Sequence, residues 1–186
     1  MLLVGLSLAC AWLPGGGNLS SNGTTLIGPI RQTGSAPDYQ IVLTTRDKRE
    51  WELTGPLIDE LQNLIGLKLT VYGSPERKKH DLPCLSVSNY IIEDAGGGTK
   101  PEIGHLAVEE GFLYLLPQFA PDKIKISAAS HNDEIYLTLK KLIGAKVWVV
   151  GYQGSQGDSL RIYRYGIIKK RGENRAKSSP PSGDEE

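Results

Sequence analysis

The chain repeats itself. LQNLIGLKLTVYG, beginning at Leu61, returns as LKKLIGAKVWVVG, beginning at Leu139, an offset of 78 residues. LSVSNYII from Leu85 returns as LRIYRYGII from Leu160, an offset of 75, and IGPI from Ile27 returns as IGHL from Ile103, an offset of 76. Three landmarks in one order at nearly one spacing describe a duplicated unit. Such a unit is too long for a solenoid repeat and suits a small complete domain. Domains of this size bury only about 60% of their unfolded surface, so the two halves are expected to lean on each other.

Within the first copy the hydrophobic period is first strand-like, then helical, then strand-like again. Residues 25–32, 39–45 and 50–53 read as three short strands, the second with Tyr39, Ile41 and Leu43 on one parity. Thr54 and Pro56 then predict a helix start, Leu57, Leu61, Leu64 and Ile65 fall at helical spacing, and Gly66 predicts its end. Leu67, Leu69 and Val71 alternate inward along a fourth strand, and 84–92 supplies a fifth. The second copy reads the same way, with strands at 104–108, 112–116, 123–127, 146–150 and 160–169. Its helix spans 133–142, capped by Asn132 and closed by Gly144. Five short strands with a helix between the third and fourth is the OB-fold layout. The expectation is a mainly β chain of two tandem five-stranded OB-like barrels. In both last strands the apolar parity switches, from Leu85 and Val87 to Tyr90 and Ile92, and from Leu160 and Ile162 to Tyr165 and Ile167. A β-bulge there accounts for it; so would side chains turned toward solvent or the other domain.

Residues 1–9 are apolar and end in a small residue before Cys10, a pattern of export-signal type and too short to span a bilayer. Leu8, Ala9 and Cys10 resemble a bacterial lipoprotein signal, which implies a lipid on Cys10. Ser7 departs from the aliphatic residue usual three before the cysteine, and no Lys or Arg precedes the apolar run. Gly, Ser and Asn dominate 14–25 and predict a flexible tether. A frayed strand lying on the barrel is the alternative. By arrangement, and by the LxVxxY-type endings, the chain resembles tandem OB-like domains of secreted bacterial lipoproteins. That resemblance implies a fold and a membrane-anchored place in the cell envelope, and carries no catalytic residues. The expected organisation is a leader and tether at 1–24, a first domain at 25–93, a linker at 94–101, a second domain at 102–170 and a disordered tail at 171–186.

Chemistry is sparse. His80, His105 and His131 have no metal-ligand spacing to one another or to cysteine, and Cys10 and Cys84 lack the spacing of a pair. The acidic pairs Asp59–Glu60, Glu109–Glu110 and Asp133–Glu134 read as solvated faces, and Cys84 as a small buried residue. The spaced glycines of DAGGGTKP and GYQGSQG have no strand-to-helix context for phosphate and read as a linker and a hairpin loop. No nucleophile–base or metal constellation appears, so the chain reads as non-enzymatic and without a cofactor.

Two groups remain as ligand-binding candidates. Arg77, Lys78 and Lys79 form a basic tip between the fourth and fifth strands, suited to an anionic ligand; a solvated tip is the alternative. Trp148, Tyr152 and Tyr163 are an aromatic set of the second copy, where the first has Thr70 and Ser88 in place of Trp148 and Tyr163. They suit base or sugar stacking, or burial against the first domain. With 21 basic and 21 acidic residues the net charge is zero, which counts against nucleic acid. The expected function is a non-enzymatic envelope lipoprotein that binds a membrane through Cys10 and an anionic ligand or protein partner. Single-strand nucleic-acid binding is the alternative.

Overall fold

The computed structural model describes residues 23–35, 37–77, 81–130, 132–154 and 159–172. The strands of the first copy are β1 (Thr24–Thr33), β2 (Gln40–Thr44), β3 (Glu50–Thr54), β4 (Lys68–Glu76) and β5 (Cys84–Asp94), with helix α1 (Ile58–Gln62) between β3 and β4. Those of the second are β6 (Glu102–Glu109), β7 (Phe112–Pro117), β8 (Ile124–Ser127), β9 (Lys146–Gln153) and β10 (Ser159–Lys169), with α2 (Glu134–Lys141) between β8 and β9. Each set closes on itself into a barrel, β1-β2-β3-β5-β4 and β10-β8-β7-β6-β9. Closure depends on the first strand of each copy serving two neighbours. Six residues of β1 pair with β4 and four with β2.

Inward alternation makes the cores. Leu26, Ile30, Leu43, Leu53, Leu69, Val71, Leu85, Val87 and Ile92 fill the first barrel under Leu61 and Leu64 of the α1 region. Leu106, Leu113, Leu115, Ile126, Val147, Val149 and Ile162 fill the second under Leu139 of α2. After each helix the chain turns back to the first strand through a left-handed glycine, Gly66 at φ 88° and Gly144 at φ 85°. Each glycine N–H donates to the same place in its copy, Ile30 O at 2.9 Å and Leu106 O at 2.8 Å.

The bulges fall at matching positions. Between β4 and β5 the ladder steps from Tyr72–Asn89 to Gly73–Val87, leaving out Ser88; between β9 and β10 it steps from Val150–Arg164 to Gly151–Ile162, leaving out Tyr163. A second slip leaves out Glu93 in one copy and Ile168 in the other. The glycine beside the first bulge has no room for a side chain. A Cβ on Gly73 would lie 2.1 Å from Ser86 O, and one on Gly151 would lie 2.4 Å from Arg161 O.

Several local expectations are corrected. Thr54 does not cap α1; its hydroxyl turns to Glu76 and the Leu85 carbonyl, and the helix begins after Leu57 without a side-chain cap. The regular part of α1 is only five residues, because the following segment turns early toward Gly66. Asp133, not Asn132, caps α2, accepting from Tyr136 N at 3.0 Å and Ala129 N at 2.8 Å. These N–H bonds hold the Asp133 carboxyl below its ordinary pKa. In the 94–101 segment, which joins the two copies as expected of a linker by position alone, Asp94 Oδ1 accepts from the N–H groups of Gly96, Gly98 and Thr99.

Glu60 is the main departure from a solvated acidic pair. It is 9% exposed at the junction of the two barrels. Its Oε2 accepts from Tyr90 OH at 2.7 Å and from Lys146 Nζ of the second barrel at 2.8 Å, and Lys169 Nζ stands 3.9 Å from Oε1. Ile103, Trp148, Val150 and Ile168 of the second barrel join the first barrel's apolar cluster. Asn63 Nδ2 donates to the Ile168 carbonyl at 3.1 Å. Arg164 stands over the Trp148 ring, 5.8 Å from its centroid, and against Gly96.

Burial alone would raise the Glu60 pKa, but the bonds from Lys146 and Tyr90 and the charges of Lys146 and Lys169 outweigh it and hold the carboxyl below its ordinary value. Burial, with the bond to Glu60 and its charge, pushes the Tyr90 phenol far above its ordinary range. A carboxyl whose folded pKa is depressed stabilises the fold above its unfolded pKa and ceases to do so as pH falls through the folded value. Urea unfolding is therefore expected to show falling stability from about pH 5 to pH 3. Glu60→Gln should be less stable at neutral pH and show a flatter acid limb. Trp148→Ala should lose about 3–5 kcal/mol in the same measurement, the range of large aromatic truncations in cores.

Candidate ligand-binding face

The second barrel carries an aromatic and cationic outer face on β7, β8, β9 and β10. Leu113, Leu115, Ile126 and Ile162 point inward, so alternation turns Phe112, Tyr114, Lys125, Ser127 and Arg161 outward. The ladders align them: Tyr114 opposite Lys125, Lys125 opposite Ser159, Ser127 opposite Arg161, and Arg161 opposite Tyr152. Lys125 Nζ sits 3.9 Å from the Phe112 ring centroid and Lys123 Nζ 4.7 Å from that of Tyr114. Lys123 also pairs with Glu109, whose hydrogen bond and charge hold the ammonium pKa above the ordinary lysine value.

Tyr152 and Tyr163 extend the face. Their rings stack at 6.3 Å between centroids with 22° between planes, and they are 53% and 52% exposed. Tyr163 keeps the outward parity of Arg161, and the bulge reverses the faces only after it. Beside the face lies a cleft of about 460 Å³ that brings Lys100, Lys123 and Lys125 together with Glu102, Gln153 and Ser159.

The duplication supplies an internal comparison. Matched through their ladder partners, Val42 corresponds to Tyr114, Glu52 to Lys125, Ser74 to Tyr152, Ser86 to Arg161 and Ser88 to Tyr163. The first barrel thus has small or acidic residues where the second has rings and cations. Part of its face is covered: Val42 is fully buried, Glu52 is 6% exposed, and the Cys84 thiol, 1% exposed, lies 3.4 Å from Glu52 Oε2, while Ser74 and Ser88 are exposed.

The expected binding residues separate. Trp148 is 7% exposed within the joint between the barrels, so it is core and not a ligand platform. Tyr152 and Tyr163 stay together on the surface. Arg77 is exposed beyond β4 on the first barrel, and no hydrogen bond, ion pair or ring contact joins it to the tyrosines. Lys78, Lys79, His80, His131 and Cys10 lie outside the described residues. Phe112, Tyr114, Lys125 and Arg161 carry no motif, because each follows an ordinary strand alternation, and Lys123 lies just before β8. Aligning FLYLLP and KIKIS with QIVLT and EWELT exposes the exchange of residue classes. Among the described residues no His, Cys, Asp and Glu group could hold a metal ion, and no helix is long and apolar enough to cross a membrane. No known protein family matches this chain, and neither does any curated protein.

Proposed function

We propose that the chain is a non-enzymatic cell-envelope lipoprotein, carried on a lipid at Cys10, with two OB-like barrels of which the second presents the ligand-binding face. The OB-like reading rests on the strand order 1-2-3-5-4 with the helix between strands three and four, repeated in both copies. The binding reading rests on one observation: the rings and cations of the second barrel's outer face, at positions where the first barrel has small or acidic residues. Strands two and three of an OB-fold are a common ligand surface, and β7 and β8 hold those places. The envelope reading rests on the residues around Cys10 and the tether-like sequence after it. Labelling cells with a radioactive fatty acid is expected to mark the native chain and place it in the membrane fraction. Cys10→Ser should be unlabelled. A native chain that is unlabelled and cytosolic would remove the envelope reading.

The same face favours a second reading, a single-strand nucleic-acid binder. Lys125 beside Phe112 and Arg161 beside Tyr152 put cations next to rings, as a strand of stacked bases and phosphates requires. Zero net charge weighs against it. In a titration with oligothymidylate at low salt, this reading expects binding that weakens as salt rises. Tyr152→Ala should cost about 1–3 kcal/mol, the usual effect of one stacking partner. A flat titration leaves the envelope reading alone.

A further inference from the structure

Two polar atoms on the second barrel's outer face are buried and make no hydrogen bond among the described residues: Ser127 Oγ and Arg161 Nε. They belong to facing residues, since Ser127 and Arg161 are partners in the parallel β8–β10 ladder. Buried donors without acceptors are costly, and native folds seldom keep two on facing residues without a reason.

The first barrel shows what such a place holds. Thr54 and Ser86 stand at the positions of Ser127 and Arg161. There the Thr54 hydroxyl donates to Glu76 Oε2 at 2.9 Å, so a carboxylate from the end of β4 occupies the spot. Glu76 pairs with Cys84, and the matching pair in the second barrel is Gly154 with Ser159, joined by the bond from Gly154 N to Ser159 O at 2.7 Å. Between the copies the carboxylate has become a glycine while a serine has become an arginine. The second barrel has no carboxylate at this place and carries a second donor there. A guanidinium presents its N–H groups in a fixed fork that matches carboxylate and phosphate oxygens.

We propose that Ser127 and Arg161 form an oxyanion seat, taking the carboxylate or phosphate of a ligand at the place that Glu76 fills within the first barrel. The inference rests on reading this face as the ligand surface, and it names the chemistry of that ligand: an oxyanion joined to a flat ring. The ring lies toward Tyr152, the Arg161 partner across β9, and Lys125, two residues from Ser127, adds charge beside the seat.

Thermal unfolding of the full chain at low ionic strength tests it with three probes: phenyl phosphate, benzoate and inorganic phosphate. Chloride at matched ionic strength is the control. Phenyl phosphate and benzoate are expected to raise the Tm of the native chain beyond the chloride effect, and inorganic phosphate to do so at higher concentration. The larger response to one of the two ring compounds identifies the oxyanion. Arg161→Gln and Gly154→Glu should respond to the probes no more than to chloride. Equal responses in the native chain and Arg161→Gln, or none beyond chloride in either, would overturn the seat.

The Gly154→Glu change restores the carboxylate by the route the first barrel uses; a Cβ at Gly154 meets only Ser159, at 2.9 Å from the hydroxyl oxygen, which can rotate away. A double-mutant cycle with Arg161→Gln reads the coupling free of any folding cost of either change. Gly154→Glu is expected to leave the chain more stable with Arg161 present than with Arg161→Gln beside it, once each single change is subtracted, and absence of coupling also overturns the seat. Loss of the seat is distinguishable from loss of the face: a phenyl phosphate response that Tyr152→Ala reduces and Arg161→Gln does not loses the seat alone, and one that neither change reduces loses the face as well.

Discussion

Glu60 is the carboxylate on which the two halves meet. A buried charge is tolerable only when paired and hydrogen-bonded, and its partners come from both sides: Tyr90 from the first barrel, Lys146 and Lys169 from the second. Around this polar centre Trp148, Ile168, Ile103 and Val150 enter the first barrel's apolar cluster. The polar contact sets the orientation and the apolar burial supplies most of the attraction, since a buried ion pair by itself is weak evidence of stability. Each barrel is small for its own core, and the joint extends the core of the first across the boundary.

The joint uses unlike surfaces of two like units. It takes the helix end of the first barrel and the β9–β10 side of the second, a head-to-tail contact of the kind that continues into an array when every unit carries both surfaces. Here neither unit does. The position of Glu60 is Thr138 in the second copy and that of Asn63 is Lys141; the positions of Trp148 and Ile168 are Thr70 and Glu93 in the first. Thr70 and Glu93 instead bond each other at 2.6 Å. The contact therefore closes after two units. The outer faces diverged too. Val42, Glu52 and Cys84 are buried in the first barrel, where the second has Tyr114, Lys125 and Ser159.

Much of the local structure was legible because it depends on period and steric demand. The strands, both helices and the turn glycines Gly66 and Gly144 follow from alternation, helical spacing and left-handed backbone. The parity switch anticipated the bulge at Ser88 and Tyr163, since an extra residue must reverse the faces that follow it. The caps were less legible. Thr54 and Asn132 have suitable side chains, but Glu76 draws one away and Asp133, one residue on, offers a better acceptor than the other. The candidate site was legible only in part: Tyr152 and Tyr163 stood out as aromatics without counterparts, while Lys125 and Arg161 look like any outward residue of a strand.

The sequence by itself determined that there are two equivalent β units, where their elements lie and which positions differ between them. These are properties of spacing along one chain. Only the tertiary structure decided what the differences do. Trp148 went into the joint and Tyr163 onto the surface, although both stand on outward parity in adjacent strands, because the first barrel covers one and not the other. Glu60 became a buried partner and not a solvated acid for the same reason. Alternation says which way a side chain leaves its own sheet; what it meets there depends on residues distant in sequence, brought close by the docking of one barrel on the other.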